Sequence, residues 1–514
     1  MTHKNREDKT KARNAQTMPM PRPRTTYTEP ARELPVLGSY DVIVCGGGPA
    51  GCAAAIAAAR HGANTLLVEK DGYLGGATVS QLVCVVLSTN GVDFQGVWHE
   101  YARRLRDREA LRPLTGIGKG QIRSCVDPEQ VKFVWDEMLT EAGVTILHHA
   151  SGCRCMVEDG TAKGVLAETR AGRRALLANR VVDATGDGIV AAESGVEWAQ
   201  GDGEHKYAMS LTKVLRIGGL PDNLEPPDEA TMEKLAADLK AAVDRGAYTA
   251  PVVTEQKRLL NYIRGWNWRL PEKRRELLSV ISRVLKVDPL DPFDFTRAER
   301  EGREQARQAA DFLCRYVPGL ENAYLLDTSA QIGLRSSRRL QGLAAVTADD
   351  AMGFRKHPDS IARSSWNIDI WPADSYSAPA VDHSTEEFKQ RREQLIAGEY
   401  FDIPYGCIVA EGIDNLLMAG RCISAVHVAE SSLRIQQTCM STGEAAGVAA
   451  ALSLRANATP RELDSKAVIS QLEKDRDVEP LCAELGGPAT VDGRQCRPKK
   501  NSQVVSRESR VAGR

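Results

Sequence analysis

Gly46, Gly48 and Gly51 follow the spacing G-x-G-x-x-G within "CGGGPAGCAAAIAAARHG". This spacing suits a backbone that must come close to a pyrophosphate. The first glycine permits a tight turn, the second lets the phosphates approach, and the third lets a helix pack closely on a strand. Pro49 and Ala50 lie where that helix would begin, and its first unpaired N–H groups would face the phosphates. Further on, Glu69, with Lys70 beside it, ends the next apolar run. A carboxylate at that point can accept both hydroxyls of an adenosine ribose and would repel a 2′-phosphate. FAD and NAD share this geometry.

Other glycine-bearing segments distinguish the two. "GYLGGAT" (72–78) places Gly75, Gly76, Ala77 and Thr78 directly after the second apolar run. An NAD site has no need of a glycine pair there, whereas an extended FAD needs backbone beside both its pyrophosphate and its ring. "DATGDG" (183–188) brings Gly186 and Asp187 to another strand end, and "AGRCIS" (419–424) brings Gly420 and Arg421 to a third. Several glycine turns from separate parts of the chain favour FAD. No histidine sits in a motif that demands a covalent flavin link, so noncovalent FAD is expected, with Cys422 and Cys439 the alternative attachment points.

Flavin chemistry also needs a protein acid or base. Removing an O–H or N–H proton as hydride leaves, or protonating a reduced double bond, calls for a positioned group. His427, a few residues after "AGRCIS", is the candidate base, weighed against a structural histidine. Arg434 is the candidate partner for a carboxylate or a flavin carbonyl, weighed against an internal ion pair. Arg335, Arg338 and Arg339 in "GLRSSRRL" are ambiguous: one could reach flavin or an anionic substrate, the others anchoring a domain junction. His205 is a weaker candidate for substrate contact, and His148 and His149 read as structural.

These residues need elements to hold them. "YDVIVCGG" reads as a buried parallel strand, "AGCAAAIAAARHG" as a helix and "NTLLVEK" as a second strand. A helix and several strands follow over 127–188, ending in "RALLANRVVDAT". After about residue 215 helical patterns dominate, including "EQKRLLNYIRGWNWRLPEKRRELLSVISRVL". Four of the seven Trp lie at 266, 268, 366 and 371. They could line a pocket, though core or a dimer contact is the plainer reading. From 403 the earlier style returns: "NLLMAGRCIS" as strand and turn, then "QQTCMSTGEAAGVAAALSLRAN" as a helix of small residues.

The totals narrow the class. The chain has 514 residues, 42% apolar and 26% charged, with net charge −1. That length implies two or three subdomains. The charge gives no general attraction to nucleic acid or an anionic membrane. No apolar run is long enough to span a bilayer, and the start has no apolar signal core. Twelve scattered Cys suit a reducing cytoplasm better than a disulfide framework, and the CxC at Cys153 and Cys155 lacks a second ligand pair, so no metal is expected.

Three segments carry a resemblance: 46–80, "DTSAQIGLRSSRRLQG" (327–342), and 403–451. In them the chain resembles FAD-dependent oxidoreductases of the glutathione-reductase-like superfamily. The resemblance implies an α/β fold, a Rossmann-like FAD-binding domain of discontinuous sequence with an inserted α+β substrate or cap domain. The expected boundaries are an arm at 1–37, FAD domain at 38–215, cap at 216–395 with a cofactor-proximal return near 327–342, closing FAD segment at 396–455, and extension at 456–514. It further implies that Gly46, Gly48 and Gly51 cradle the pyrophosphate, Glu69 holds the ribose, and Gly75, Gly76, Ala77 and Thr78 run along pyrophosphate and flavin. Gly420 and Arg421 are expected beside the cofactor. Thr442, Gly443 and Ala446 are expected at or near a helix N-terminus facing the flavin pyrimidine edge, where its dipole would stabilise a reduced flavin.

One departure bears on the chemistry. Dithiol reductases of that superfamily carry a redox cysteine pair directly after the GG segment. Here Cys84 has no close partner in sequence, so dithiol chemistry is disfavoured. A second complete glycine fingerprint is also missing, so NAD(P)H would have to enter the substrate site directly. The expectation is a cytoplasmic dehydrogenase or reductase that moves a hydride between a small organic substrate and flavin N5, with a homodimer in view. An FAD monooxygenase or oxidase is the alternative, and an RNA-modifying flavoenzyme a more distant one.

Overall fold

The computed structural model describes residues 26–113, 122–222, 224–254, 259–260, 263, 270–271, 274–376, 385–476, 490–491 and 494–495. The chain divides into two units, 1–35 and 36–514. In the first, residues 26–35 are irregular and mostly exposed.

The second unit is built on a seven-stranded sheet. Strand β1 (Val36–Cys45) lies at its centre, parallel to β2 (Thr65–Val68) on one side and to Gly172–Asp183 on the other. Thr145–Leu147 extends the parallel set beyond β2, and Leu416–Met418 pairs in parallel with the last residues of the 172–183 strand. The first half of that strand instead joins an antiparallel meander with Ser151–Glu158 and Thr161–Thr169. Val42, Ile43, Val44 and Cys45 are fully buried. A parallel strand covered on both faces needs such an uninterrupted apolar run.

Helix α1 (Pro49–Arg60) follows β1 at once, with Pro49 in its first turn. The fixed φ of proline suits that place, and its missing N–H costs nothing there. Residues Ala50 to Ala58 are buried along α1. Alanines and glycines dominate because the Gln436–Arg455 helix lies directly against them. A Cβ on Gly443 would collide with the Ala50 carbonyl, and one on Gly447 with that of Ala54. Glycines four residues apart thus let the two backbones touch.

The insertion has its own hydrophobic core. Leu215, Ile217, Leu235, Leu239, Phe312 and Leu313 belong to a cluster separate from that of the main sheet. It combines helices Glu229–Asp244 and Pro292–Tyr316 with an antiparallel sheet of Leu277–Ser279, Leu215–Gly218 and Tyr324–Thr328. This is the expected α+β cap. One helical expectation fails within it, because Leu277–Ser279 is a strand. Both Leu277 and Leu278 are buried, and pairing with Leu215–Ile217 overrides the local helical pattern. Trp266 and Trp268 lie outside the described residues. Trp366 is buried, and Trp371 lies under the guanidinium of Arg283 at 4.0 Å.

Candidate cofactor and acid–base site

Each motif glycine faces a different constraint. Gly46 has φ +100°, and a Cβ there would sit 2.5 Å from the Ala184 carbonyl oxygen. A side chain on Gly51 would strike the carbonyl of Gly46. Gly76 has φ +48° and presses on Gly48, 2.7 Å from a Cβ position to the Gly48 Cα. The Gly75 N–H donates to the Gly47 carbonyl at 2.8 Å, joining the 46–51 turn to the 75–76 turn. Gly48 differs from all of these. Its backbone, φ −75° and ψ −179°, is open to any residue, and a Cβ would meet only the Gly76 Cα at 3.9 Å. Among the described residues nothing requires glycine there, whereas a ligand passing over that backbone would.

The first turn of α1 supports the same use. It contains no acidic residue, and Gly48 caps it without a side chain. Its first N–H groups are left to an anion. Glu69 lies beside this turn, 6% exposed. It accepts the N–H of Gly47 on one oxygen and that of Asp71 on the other, at 2.8 Å for Asp71. Burial pushes its carboxyl up from the ordinary value, against those two donors. Each oxygen retains a lone pair. Lys70 is exposed, and its charge acts on Asp187.

The second strand end is built by Asp183. Its buried carboxylate accepts the N–H and hydroxyl of Thr185 at 3.0 and 2.7 Å and the N–H of Ala191 at 2.8 Å. This folds residues 183–188 back over the sheet edge, with Gly186 at φ +77°. Arg421 reaches across from the Gly420–Cys422 turn, donating to Asp187 at 2.6 Å and to the Ser337 hydroxyl at 2.8 Å. Ser337 in turn donates to Asp187 at 2.7 Å. Burial pushes the Asp187 carboxyl up, but Arg421 and Ser337 outweigh it and hold it below its ordinary range. The 327–342 segment thus reaches the 183–188 loop through Ser337, a contact that the sequence did not reveal.

The late helix begins at Gln436, upstream of the residues expected near its N-terminus. Thr442, Gly443 and Ala446 occupy its second and third turns and are buried. The Thr442 hydroxyl accepts the Gly420 N–H at 3.2 Å, and Gly443 lies on Ala50. In the first turn, Gln436 accepts the hydroxyl of Thr78 at 2.8 Å. Gln437 donates to the buried Asp93 at 3.1 Å. Spacing alone could not reveal these polar anchors, which lie hundreds of residues away in the chain.

His427 opens the short helix His427–Leu433, directly after the Arg421 turn. Its side chain is 17% exposed and its Nδ1 is buried, leaving the Nε2 edge as the one a substrate can reach. Burial, and then the charge of Arg339, lowers its pKa to about 4. The imidazole is therefore neutral near pH 7. Glu430, 1% exposed, accepts from Arg339 at 3.1 Å and faces His427 Nδ1 at 3.9 Å. Arg434 donates to the Asp369 carboxylate at 2.9 Å and to its carbonyl at 3.0 Å. Of the ambiguous arginines, Arg339 joins Glu430, Arg338 donates to the Asp187 carbonyl at 3.3 Å, and Arg335 donates to the Ser210 carbonyl.

His205 is 55% exposed and pairs with Asp202, whose charge acts on His427. His148 and His149 follow the 145–147 strand rather than lying in it, and His148 bonds to the Asp71 carbonyl at 3.0 Å. Cys84 does have a cysteine neighbour. Strand pairing sets Val85 opposite Cys125, and burial, then the charge of Cys125, raises the Cys84 thiol. The sequence could not show this, because the two lie on separate strands. Among the described residues, no group of three His, Cys, Asp or Glu could hold a metal ion, and no helix is long and apolar enough to cross a membrane.

Turns from four distant parts of the chain thus meet at the carboxyl end of one parallel sheet, the usual ligand edge of open α/β folds. These features define a dinucleotide-binding flavoprotein fold. The chain belongs to the FAD dependent oxidoreductase family, whose model matches residues 41–473. FAD is the cofactor that membership of this family implies. The open cradle over Gly48 fits a pyrophosphate. Curated relatives match over short spans. The chain is 51% identical over 49 residues to dihydrolipoyl dehydrogenase of Trypanosoma brucei brucei, 10% of each chain. It is 55% identical over 40 residues to vinyl phenol reductase of Lactiplantibacillus plantarum, 8% of each. The matches thus span about a tenth of those relatives' length. Among solved structures, a geranylgeranyl bacteriochlorophyll reductase-like protein of Thermoplasma acidophilum is similar at 12% identity and TM-score 0.40, over 85% of this chain and 83% of that one.

Proposed function

We propose that this protein is a dehydrogenase or reductase that moves a hydride between a small organic substrate and FAD, with His427 as its acid–base group. FAD, when bound, supplies the hydride acceptor or donor at N5. Gly46, Gly48, Gly51 and the first turn of α1 hold the pyrophosphate, and Glu69 accepts the ribose hydroxyls. The Gly75–Thr78 segment, the Gly420–Arg421 turn and the start of the Gln436 helix would hold the flavin part of the cofactor.

The observation that carries the proposal is the state of His427. It is largely enclosed, its pKa is lowered to about 4 by burial and then by Arg339, and it is placed by a helix start that follows the Arg421 turn. A neutral Nε2 can take an O–H or N–H proton as hydride leaves, or return one in the other direction. Arg434 and its Asp369 partner fix the far end of this short helix and offer an edge to an anionic substrate group. NAD(P)H, where it is the electron donor, enters the substrate site directly. The protein works in the cytoplasm as a homodimer.

The test is anaerobic stopped-flow mixing with NADH, NADPH and candidate organic donors, followed by oxygen. His427→Ala should retain FAD yet slow flavin reduction by about 10²–10⁴-fold, the usual contribution of a positioned acid or base. Unchanged single-turnover rates would remove His427 from the chemistry. Oxygen consumption coupled to a hydroxylated product would replace this reading with a monooxygenase.

A further inference from the structure

His427 and Glu430 lie three residues apart on one helix, so their side chains share a face. Nδ1 of His427 is buried and has no partner among the described residues; Oε1 of Glu430 is in the same condition. The nearer carboxylate oxygen, Oε2, is 3.9 Å from Nδ1 and 3.1 Å from Arg339 Nη1. That gap is about 1 Å longer than an N–H···O bond and too short for a water to bridge. The terminal torsion of a glutamate is soft, so a small rotation closes it. Closing it would give the buried Nδ1 a hydrogen-bond partner.

We propose that Glu430 is a proton store behind His427: when Nε2 takes a proton from substrate, the Nδ1 proton passes to Glu430. The proposal rests on the acid–base reading of His427. The step balances. One substrate X–H bond breaks and Nε2–H forms; Nδ1–H breaks and a carboxyl O–H forms. The ring ends neutral, in the opposite tautomer, and the hydride leaves separately for FAD. Glu430 is thus a positioning residue, acting only through the imidazole.

Burial favours this direction, against the surrounding charges. Glu430 faces Arg339 from the 338–340 strand, Arg421 from the 420–422 turn, and Arg434 and His427 from its own helix end and start. His427 faces Arg339, Arg434 and Asp202. Burial outweighs the three arginines and pushes the Glu430 carboxyl up to about 7. Burial and Arg339 hold the imidazole at about 4. A proton delivered to this pair therefore settles on the carboxylate. The group that titrates near neutrality is the glutamate, although histidine ordinarily has that role.

The test is NMR of the FAD-loaded protein labelled with [15N]histidine, following the ring nitrogens from about pH 5 to about pH 9. His427→Gln assigns the signal. The expected result is a ring that stays neutral throughout. It should carry Nδ1–H at high pH and change to Nε2–H near neutrality, as Glu430 gains its proton. Glu430→Gln should abolish that change. A ring protonated on both nitrogens near neutral pH would overturn the proposal, as would an absent exchange or one that persists in Glu430→Gln. If Glu430→Gln loses FAD on purification, the wild-type titration decides by itself. Failure of the underlying reading looks different: the organic donor would then reduce the flavin of His427→Ala at the wild-type rate while the wild-type tautomer still followed Glu430.

Discussion

Gly48 and Gly51 belong to one motif, yet they are glycine for different reasons. Gly51 is required by the protein, because a Cβ there would strike the carbonyl of Gly46. Gly48 has room for a side chain and an unstrained backbone. Gly51→Ala should therefore damage folding itself, lowering Tm and yield. Gly48→Val should leave a folded protein, with native-like far-UV circular dichroism, that purifies without flavin. Normal flavin content in a folded Gly48→Val protein would remove the pyrophosphate from that backbone. The motif was legible because its logic is local. The contacts of Glu430 with Arg339, and of Arg421 with Ser337 and Asp187, were not. They join residues 91, 84 and 234 positions apart. Sequence shows that an arginine is present, but not which carboxylate it will meet.

At the scale of elements, the paired helices decide how close the cofactor turn can sit to the sheet. Gly443 and Gly447 let the Gln436–Arg455 helix rest on the backbone of α1. A large side chain at either position must push the helices apart. Gly447→Leu should cost at least roughly 1–3 kcal/mol of stability, the usual range for overpacking a close-fitted core. Denaturant unfolding checks this, and an unchanged midpoint would show that the contact is loose. The composition of the late helix was legible as small residues, but not its partner. The Leu277–Ser279 strand was misread for a related reason: an apolar run can suit either period, and its sheet neighbours decide which it adopts.

Across the whole molecule, the FAD domain is assembled from two long stretches of chain that enclose the cap. The discontinuity was legible, because strand-turn-helix patterns recur at both ends with a helical region of different style between them. The second hydrophobic core follows from that change of style. Since turns from four separate segments converge on one sheet edge, FAD bound there as proposed would tie them together. The holoprotein should therefore unfold later than the apoprotein, by about 2.7 kcal/mol when free FAD is a hundredfold above its Kd. Differential scanning calorimetry with and without added FAD measures this, and coincident melts would mean that the turns do not share one ligand.

The contact between α1 and the 436–455 helix also sets an order of events during synthesis. When α1 leaves the ribosome, the surface it is made to lie against has not been translated. Leu416–Met418, the strand that completes the sheet edge, is equally late. Until both emerge, the row of alanines on α1 has no cover, and the glycine turn has no backing. Contacts this distant in sequence close slowly, and uncovered apolar surface invites aggregation meanwhile. Flavin capture is thus a terminal step of biogenesis: a nascent chain stalled ahead of residue 436 should emerge colourless and dependent on chaperones, however intact its fingerprint.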